Sequence, residues 1–173
     1  MNPPVTVVER ISDVTLVSVT QCLYVSVEHQ TLQHIVDGTV LKTYPVSTAL
    51  NGTGNVENSG MTPLGVHVVA EKFGHGAPLG RIFVDRLDTG ETWVPPMDPC
   101  NRILSRILWL RGMEDGINRG AGIDTYDRYI YIHGTASEQK IGTPFSHGCV
   151  VMRNTDVVEL FDLVKEGTYV LID

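Results

Sequence analysis

Ser146-His147-Gly148-Cys149 follows Ile132-His133-Gly134-Thr135, with Cys149 16 positions after His133. Cysteine attacks a carbonyl as a thiolate, so it needs a base, and the base needs a group to orient it. All of these residue types fall between Ile132 and Asn154. Gly148 lets the chain turn tightly and lets a substrate come close to Cys149. Backbone N–H groups of that turn are candidates to hold an oxyanion. His133 and His147 are both candidates for the base, and the residues alone do not choose between them. If His133 stabilises a resting thiolate, Cys149 should titrate below the usual value of about 8.5.

Two other chemistries use the same letters. His133, His147 and Cys149 are three potential zinc ligands, but the spacing matches neither CxxC nor HExxH and supplies no fourth ligand. Gly52-Thr53-Gly54 lacks the lysine and the strand–loop–helix setting of a phosphate loop. No metal and no cofactor is therefore expected. Cys22 and Cys100 read as small buried hydrophobes.

The chain that must position these residues has 173 of them, enough for one domain spanning 1–173 with its own core. Its formal net charge of −7 opposes binding to nucleic acid phosphates or to polyanionic surfaces. Three scattered cysteines do not form a disulfide framework. No run of about 18 apolar residues suggests membrane insertion. The N-terminus shows neither a basic segment nor a long apolar one, which reads as cytoplasmic, or as periplasmic if a signal has been trimmed away.

Many glycines with frequent Val and Thr favour β structure. Val14–Val19, Cys22–Val27 and Leu32–Val36 read as β-rich, and Asp37-Gly38 is a hairpin turn into Thr39–Ser47. Asn51–Gly60 and Gly74–Gly80 read as loops on either side of a strand over Val66–Ala70. Arg81–Leu87 and Glu91–Val94 form a second hairpin about Asp88-Thr89-Gly90, closed by Pro95-Pro96. Ile103–Arg111 is a strand, and Gly112–Asp124 a long loop. Tyr126–Ile132 alternates like a strand and leads into His133. A helix capped by Asn154 carries Val157, Leu160, Phe161 and Val164 on one stripe and stops at Gly167, before a last strand over Thr168–Ile172. The expected fold is mainly β with one or few helices, a mixed β-sandwich.

Ile132-His133-Gly134-Thr135, Ile141-Gly142 and Ser146-His147-Gly148-Cys149-Val150 together resemble the catalytic motif of the YkuD-type L,D-transpeptidases. Tyr44-Pro45-Val46-Ser47-Thr48 and Thr62-Pro63-Leu64-Gly65 resemble earlier segments of that family. Asn154, Asp156, Leu160, Gly167-Thr168 and Val170 resemble its closing helix and strand, so the likeness spans Leu16 to Asp173. It implies Cys149 as nucleophile and His133 as base, oriented by the Gly134 carbonyl. It also implies oxyanion donors near Gly148 and Cys149, with Ser146 and His147 at the pocket. The implied substrate is a peptidoglycan tetrapeptide or muropeptide, cut between its L-diamino acid and terminal D-Ala. Carbapenems are expected to acylate such a cysteine. One departure stands out: the family's arginine two residues after the cysteine is Val151 here. Arg153 shares a face with positions 149 and 151 if the chain is extended, and is the candidate replacement.

The acceptor of the acyl group decides the activity. Water gives an L,D-carboxypeptidase of murein peptide recycling, the reading favoured by a cytoplasmic location. An amine gives an L,D-transpeptidase that cross-links or exchanges D-amino acids. A third reading, of a different class, is a degenerate muropeptide-binding module. The sequence does not address oligomeric state.

Overall fold

The computed structural model describes residues 4–95 and 102–173. Cys100 and Pro96 lie outside the described residues. Ten strands and two α-helices are present: α1 (Pro4–Thr15), β1 (Gln21–Ser26), β2 (Thr31–Val36), β3 (Thr39–Ser47), β4 (Gly65–Phe73), β5 (Arg81–Val84), β6 (Leu87–Thr92), β7 (Ile103–Gly112), β8 (Tyr131–Gly134), β9 (Val150–Met152), α2 (Asn154–Leu163) and β10 (Tyr169–Ile172). A single 3₁₀ turn covers Glu138–Lys140.

The mainly β architecture expected from the sequence is present, as one sheet ordered β4-β10-β1-β2-β3-β9-β8-β7-β5-β6. β4 also pairs with β7, so eight strands close into a barrel-like ring and the β5–β6 hairpin hangs from the start of β7. Closure gives the inner faces a shared core. Leu23, Leu32, Val46, Leu108, Ile132 and Met152 are fully buried there, and α2 adds Val157, Leu160 and Phe161. The helical stripe predicted for α2 is thus its packing face. Fully buried Cys22 sits in a second cluster, beneath α1.

Several local expectations need correction. The β-rich reading of Val14–Val19 gives no strand: Val14 and Thr15 end α1, and the chain from Leu16 to Val19 is irregular. Val7 and Ile11 are fully buried against β1, β2 and β10, and partly buried Val8 and Val14 complete the stripe. The turn at Asp37-Gly38 is as expected, both residues having positive φ (47° and 71°). The second hairpin instead turns at Asp85-Arg86, also at positive φ (47° and 68°). Asp88-Thr89-Gly90 lies within β6, where the register slips. Tyr126–Ile130 is not strand but a series of turns, because Tyr126 lies flat on Trp109, with ring centroids 3.8 Å apart. Asn154 is the first residue of α2 rather than its cap. Arg153 takes the cap position, and the Asn154 side chain turns to other partners.

Candidate active site

β8 and β9 run parallel, with Ile132 opposite Val150 and His133 opposite Val151. Cys149 immediately precedes β9. The two candidate residues thus come from neighbouring strands of the ring, joined by the segment that contains the 3₁₀ turn.

His133 is 5% exposed, and its Nδ1 lies 2.8 Å from the Gly134 carbonyl oxygen. A carbonyl only accepts, so Nδ1 carries the proton and the neutral ring keeps its lone pair on Nε2. Burial pushes the His133 pKa down to about 4, partly offset by the Gly134 carbonyl. The backbone behind it allows no side chain at Gly134. A Cβ there would collide with Asn154 Oδ1 and stand 2.7 Å from the Leu104 carbonyl oxygen.

That crowding marks a buried polar brace. Asn154 Nδ2 donates to the Thr135 carbonyl (2.8 Å) and to Glu138 Oε1 (2.7 Å), while its Oδ1 accepts from Ser105 Oγ (2.7 Å). Ser105 lies in a bulge of β7, at φ 68°, where the pairing with β8 slips between Leu104 and Ile107. Oγ of Ser105 also accepts the Gly80 amide at 2.9 Å. The bulge, α2 and the 3₁₀ turn are therefore tied together beside His133.

The cysteine loop is pinned from the other side. Phe145 and Ser146 donate their amides to the Thr48 carbonyl, each at 3.0 Å. Thr62, in the Thr-Pro turn, donates its hydroxyl to the Gly148 carbonyl (2.9 Å) and accepts the Ala49 amide (2.9 Å). Gly148 has φ 134°, and a Cβ there would stand 3.0 Å from Ile130 Cδ1. Ser146 Oγ donates to the Cys149 carbonyl at 2.6 Å and receives the Gly148 amide at 3.3 Å. Ser146 thus braces its own turn, and in this resting state the Gly148 amide, expected as an oxyanion donor, points to it.

Cys149 is half-buried. Its Sγ accepts the Tyr131 amide at 3.4 Å and stands 3.7 Å from the Tyr129 carbonyl oxygen. Burial pushes the thiol up to about 11, against the opposing pull of the Tyr131 N–H and the Arg128 charge. Burial therefore disfavours the charged form of both groups, the thiolate of Cys149 and the imidazolium of His133. The thiolate expected below the ordinary range is not favoured, because desolvation penalises both charged forms more than their neighbours repay.

A cleft of about 600 Å³ is lined by Cys149, His133, Ser146, His147 and residues that sequence reasoning did not single out, Tyr129, Tyr131 and Arg86 among them. His147 is exposed at its rim. Arg153 is not among the lining residues. It is exposed at the start of α2, where its charge acts on Asp156. The strand is Val150–Met152 and the chain is still extended at Arg153 (φ −61°, ψ 149°), yet that residue ends up outside the cleft, where α2 begins. Val151 is 2% exposed and paired to both His133 and Ser47. Among the described residues no group of three or more His, Cys, Asp or Glu side chains is arranged to hold a metal.

A thiol and a lone-pair-bearing imidazole thus line one cleft on a closed β sheet. The chain belongs to the YkuD family, described as the L,D-transpeptidase catalytic domain, whose model matches residues 21–172. Among curated proteins it is 49% identical to Bacillus subtilis YqjB over 47 residues, 27% of each chain. It is 48% identical to YkuD of the same organism over 42 residues, 24% of this chain and 26% of that one. Both carry a provisional L,D-transpeptidase name.

Solved structures share the fold. LdtMt1, an L,D-transpeptidase in complex with imipenem, superposes with TM-score 0.55 at 21% identity, covering 89% of this chain and 59% of that one. An L,D-transpeptidase from Mycobacterium smegmatis gives TM-score 0.55 at 19% identity, covering 89% and 58%. One from Enterococcus faecium gives 0.55 at 18%, covering 90% and 50%. The chain spans little more than half the length of these structures, and its matches cover about a quarter of the curated relatives.

Proposed function

We propose that this protein cleaves the bond between the L-diamino acid and the terminal D-Ala of peptidoglycan stem tetrapeptides, through an acyl-Cys149 intermediate that water then hydrolyses. The observation that carries this reading is the shared cleft, lined by both Cys149 and a histidine whose tautomer is fixed by Gly134.

The neutral pair suits transfer of a proton during attack. The Cys149 sulfur adds to the carbonyl carbon as its proton passes to His133 Nε2, giving a tetrahedral oxyanion and an imidazolium. Collapse breaks the C–N bond, and the imidazolium gives its proton to the departing D-Ala amine. A thioester remains. Water attacks it, again with His133 as base, and the products are the tripeptide acid and the free thiol.

Water as acceptor is supported by the free thiols of Cys22 and Cys149 and by the net charge of −7. Both fit a reducing, cytoplasmic setting and soluble muropeptides better than a polyanionic wall. One observation favours an amine acceptor instead. A second groove of about 360 Å³ meets the first at Tyr129 and His147 and contains Glu57 and Asp127. Those carboxylates suit a cationic amine.

Mass spectrometry on soluble tetrapeptide, with and without excess D-amino acid, separates the readings. Cys149-dependent conversion to tripeptide is the expected result. Exchange or dimer formation without net tripeptide would replace hydrolysis by transpeptidation. No turnover together with no carbapenem adduct on Cys149 would leave a binding module.

A further inference from the structure

The β5–β6 turn places one cation in the catalytic cleft. Among the described residues that line it, Arg86 is the only Lys or Arg. Its guanidinium is held on three sides. Nη1 donates to Tyr131 Oη at 2.8 Å, and the plane lies over the Trp109 ring at 4.5 Å and near Tyr129 at 5.2 Å. Trp109 is itself fixed, stacked on Tyr126 and donating its indole N–H to the Tyr126 carbonyl at 3.1 Å. Tyr126 in turn is hydrogen-bonded to Glu71 and covered by Arg111 at 4.4 Å. Among the described residues no carboxylate lies within ion-pair distance of Arg86, although the Asp85 charge, in the same turn and lining the same cleft, acts on it. A planar fork of donors is thus oriented in advance, with one N–H used by Tyr131 and no ion pair closing the rest.

Tyr131 connects this fork to the chemistry. Its backbone N–H touches Cys149 Sγ, and its hydroxyl touches Arg86. The guanidinium and the sulfur are therefore held about one tyrosine side chain apart. The cysteine motif itself brings no charge to the cleft, since Val151 is buried and Arg153 lies elsewhere.

We propose that Arg86 is the carboxylate seat of this cleft, binding an anionic group of the acyl donor while Cys149 attacks its carbonyl. This deepens the tetrapeptide reading and rests on it for the substrate. Two carboxylates of a stem tetrapeptide share the required chemistry: the terminal one on D-Ala, and the side-chain one of a diamino-dicarboxylic residue three. Guanidinium geometry favours a two-point contact with either.

The test has two arms. The first measures alkylation of Cys149 by iodoacetate against iodoacetamide, read by intact mass, in wild type, Arg86→Gln and Arg86→Lys. Iodoacetate carries the charge and iodoacetamide does not, so the rate ratio reports an anion seat whatever the natural substrate is. Arg86→Gln should lower the ratio about threefold, and Arg86→Lys should keep most of it. An unchanged ratio in Arg86→Gln overturns the seat, even if tetrapeptide is cleaved normally.

The second arm measures kcat and KM on the free-acid tetrapeptide, on its C-terminal amide and on a stem with lysine at residue three. Arg86→Gln should raise KM for the free acid about tenfold with little change in kcat, an effect that vanishes for whichever analogue lacks the seated carboxylate. An equal loss on all three overturns the proposal. If wild type cleaves none of them while the alkylation ratio still falls, the anion seat stands and the tetrapeptide reading fails.

Discussion

A cysteine whose thiolate is disfavoured by burial, in one cleft with a histidine whose imidazolium is disfavoured too, has a measurable signature. With Cys149 pushed up to about 11 and His133 down to about 4, alkylation of the free enzyme by iodoacetamide should keep rising through pH 9. It should show no plateau near pH 6. His133→Ala should abolish turnover yet leave that alkylation profile nearly unchanged. A plateau at low pH that disappears in His133→Ala would instead reveal an ion pair. The motif residues were legible because glycine, histidine and cysteine are constrained by local chemistry: Gly134 by the carbonyl and amide packed against it, Gly148 by its positive φ. Arg86, Tyr129 and Tyr131 were not legible. They reach the sulfur or its cleft through a hairpin turn, a carbonyl and an amide, and sequence spacing does not encode those approaches. Aromatic and arginine content near a loop was the only hint available.

The elements around the site depend on side chains that do the work of caps and wedges. Asn154→Ala removes three buried contacts and leaves the Thr135 carbonyl, the Ser105 hydroxyl and Glu138 without that partner. The expected cost is about 2–3 kcal/mol in urea unfolding, with a fall in kcat because the chain after His133 is loosened. Asn154→Asp, which keeps the acceptor for Ser105 but sets a carboxylate against Glu138, should recover little. Ile11→Ala in α1 should cost about 2–5 kcal/mol by opening a cavity among fully buried neighbours. It should leave kcat at 25 °C nearly untouched, since α1 packs on β10, β1 and β2 while the site rises from β8 and β9. Measured together, the two variants separate support of the barrel from support of the site. α1 illustrates why part of the fold was illegible. Its residues 7, 8, 11 and 14 repeat at helical spacing, but all are β-branched, and of the four only Val14 entered the sequence reading, as the start of a β-rich run. The β5–β6 turn was misplaced for a similar reason. Asp85-Arg86 adopts positive φ without glycine, and Gly90, the residue that advertised a turn, serves a bulge.

On the scale of the whole molecule, buried histidines make the fold sensitive to acid, His67 and His133 more than His34. His67 is fully buried, accepted by the Gly65 carbonyl at 2.9 Å and set 3.2 Å from Thr125 Oγ1, and burial pushes it down to about 4, as it does His133. A histidine whose folded pKa lies below its unfolded value of 6.5 contributes stability that is full above that value and lost as pH falls through 4. The loss is on the order of 3 kcal/mol for each. Thermal unfolding should show Tm dropping steeply between pH 6.5 and 4, and His67→Gln should flatten that slope. A Tm indifferent to pH over this window would contradict the burial assigned to both rings. Ring closure through β4 and β7 was not visible in the sequence, because strand periodicity reports which face is buried and is silent about which strand lies next door. The order of the strands ends at β6, whose six residues are all exposed and include Asp88 and Glu91. An open margin of this kind is where one chain can recruit another into a continuous sheet, the first step toward aggregation. Here two carboxylates and a slipped register sit on that margin, so the hairpin that carries Arg86 to the cleft also presents a strand poorly suited to self-templating.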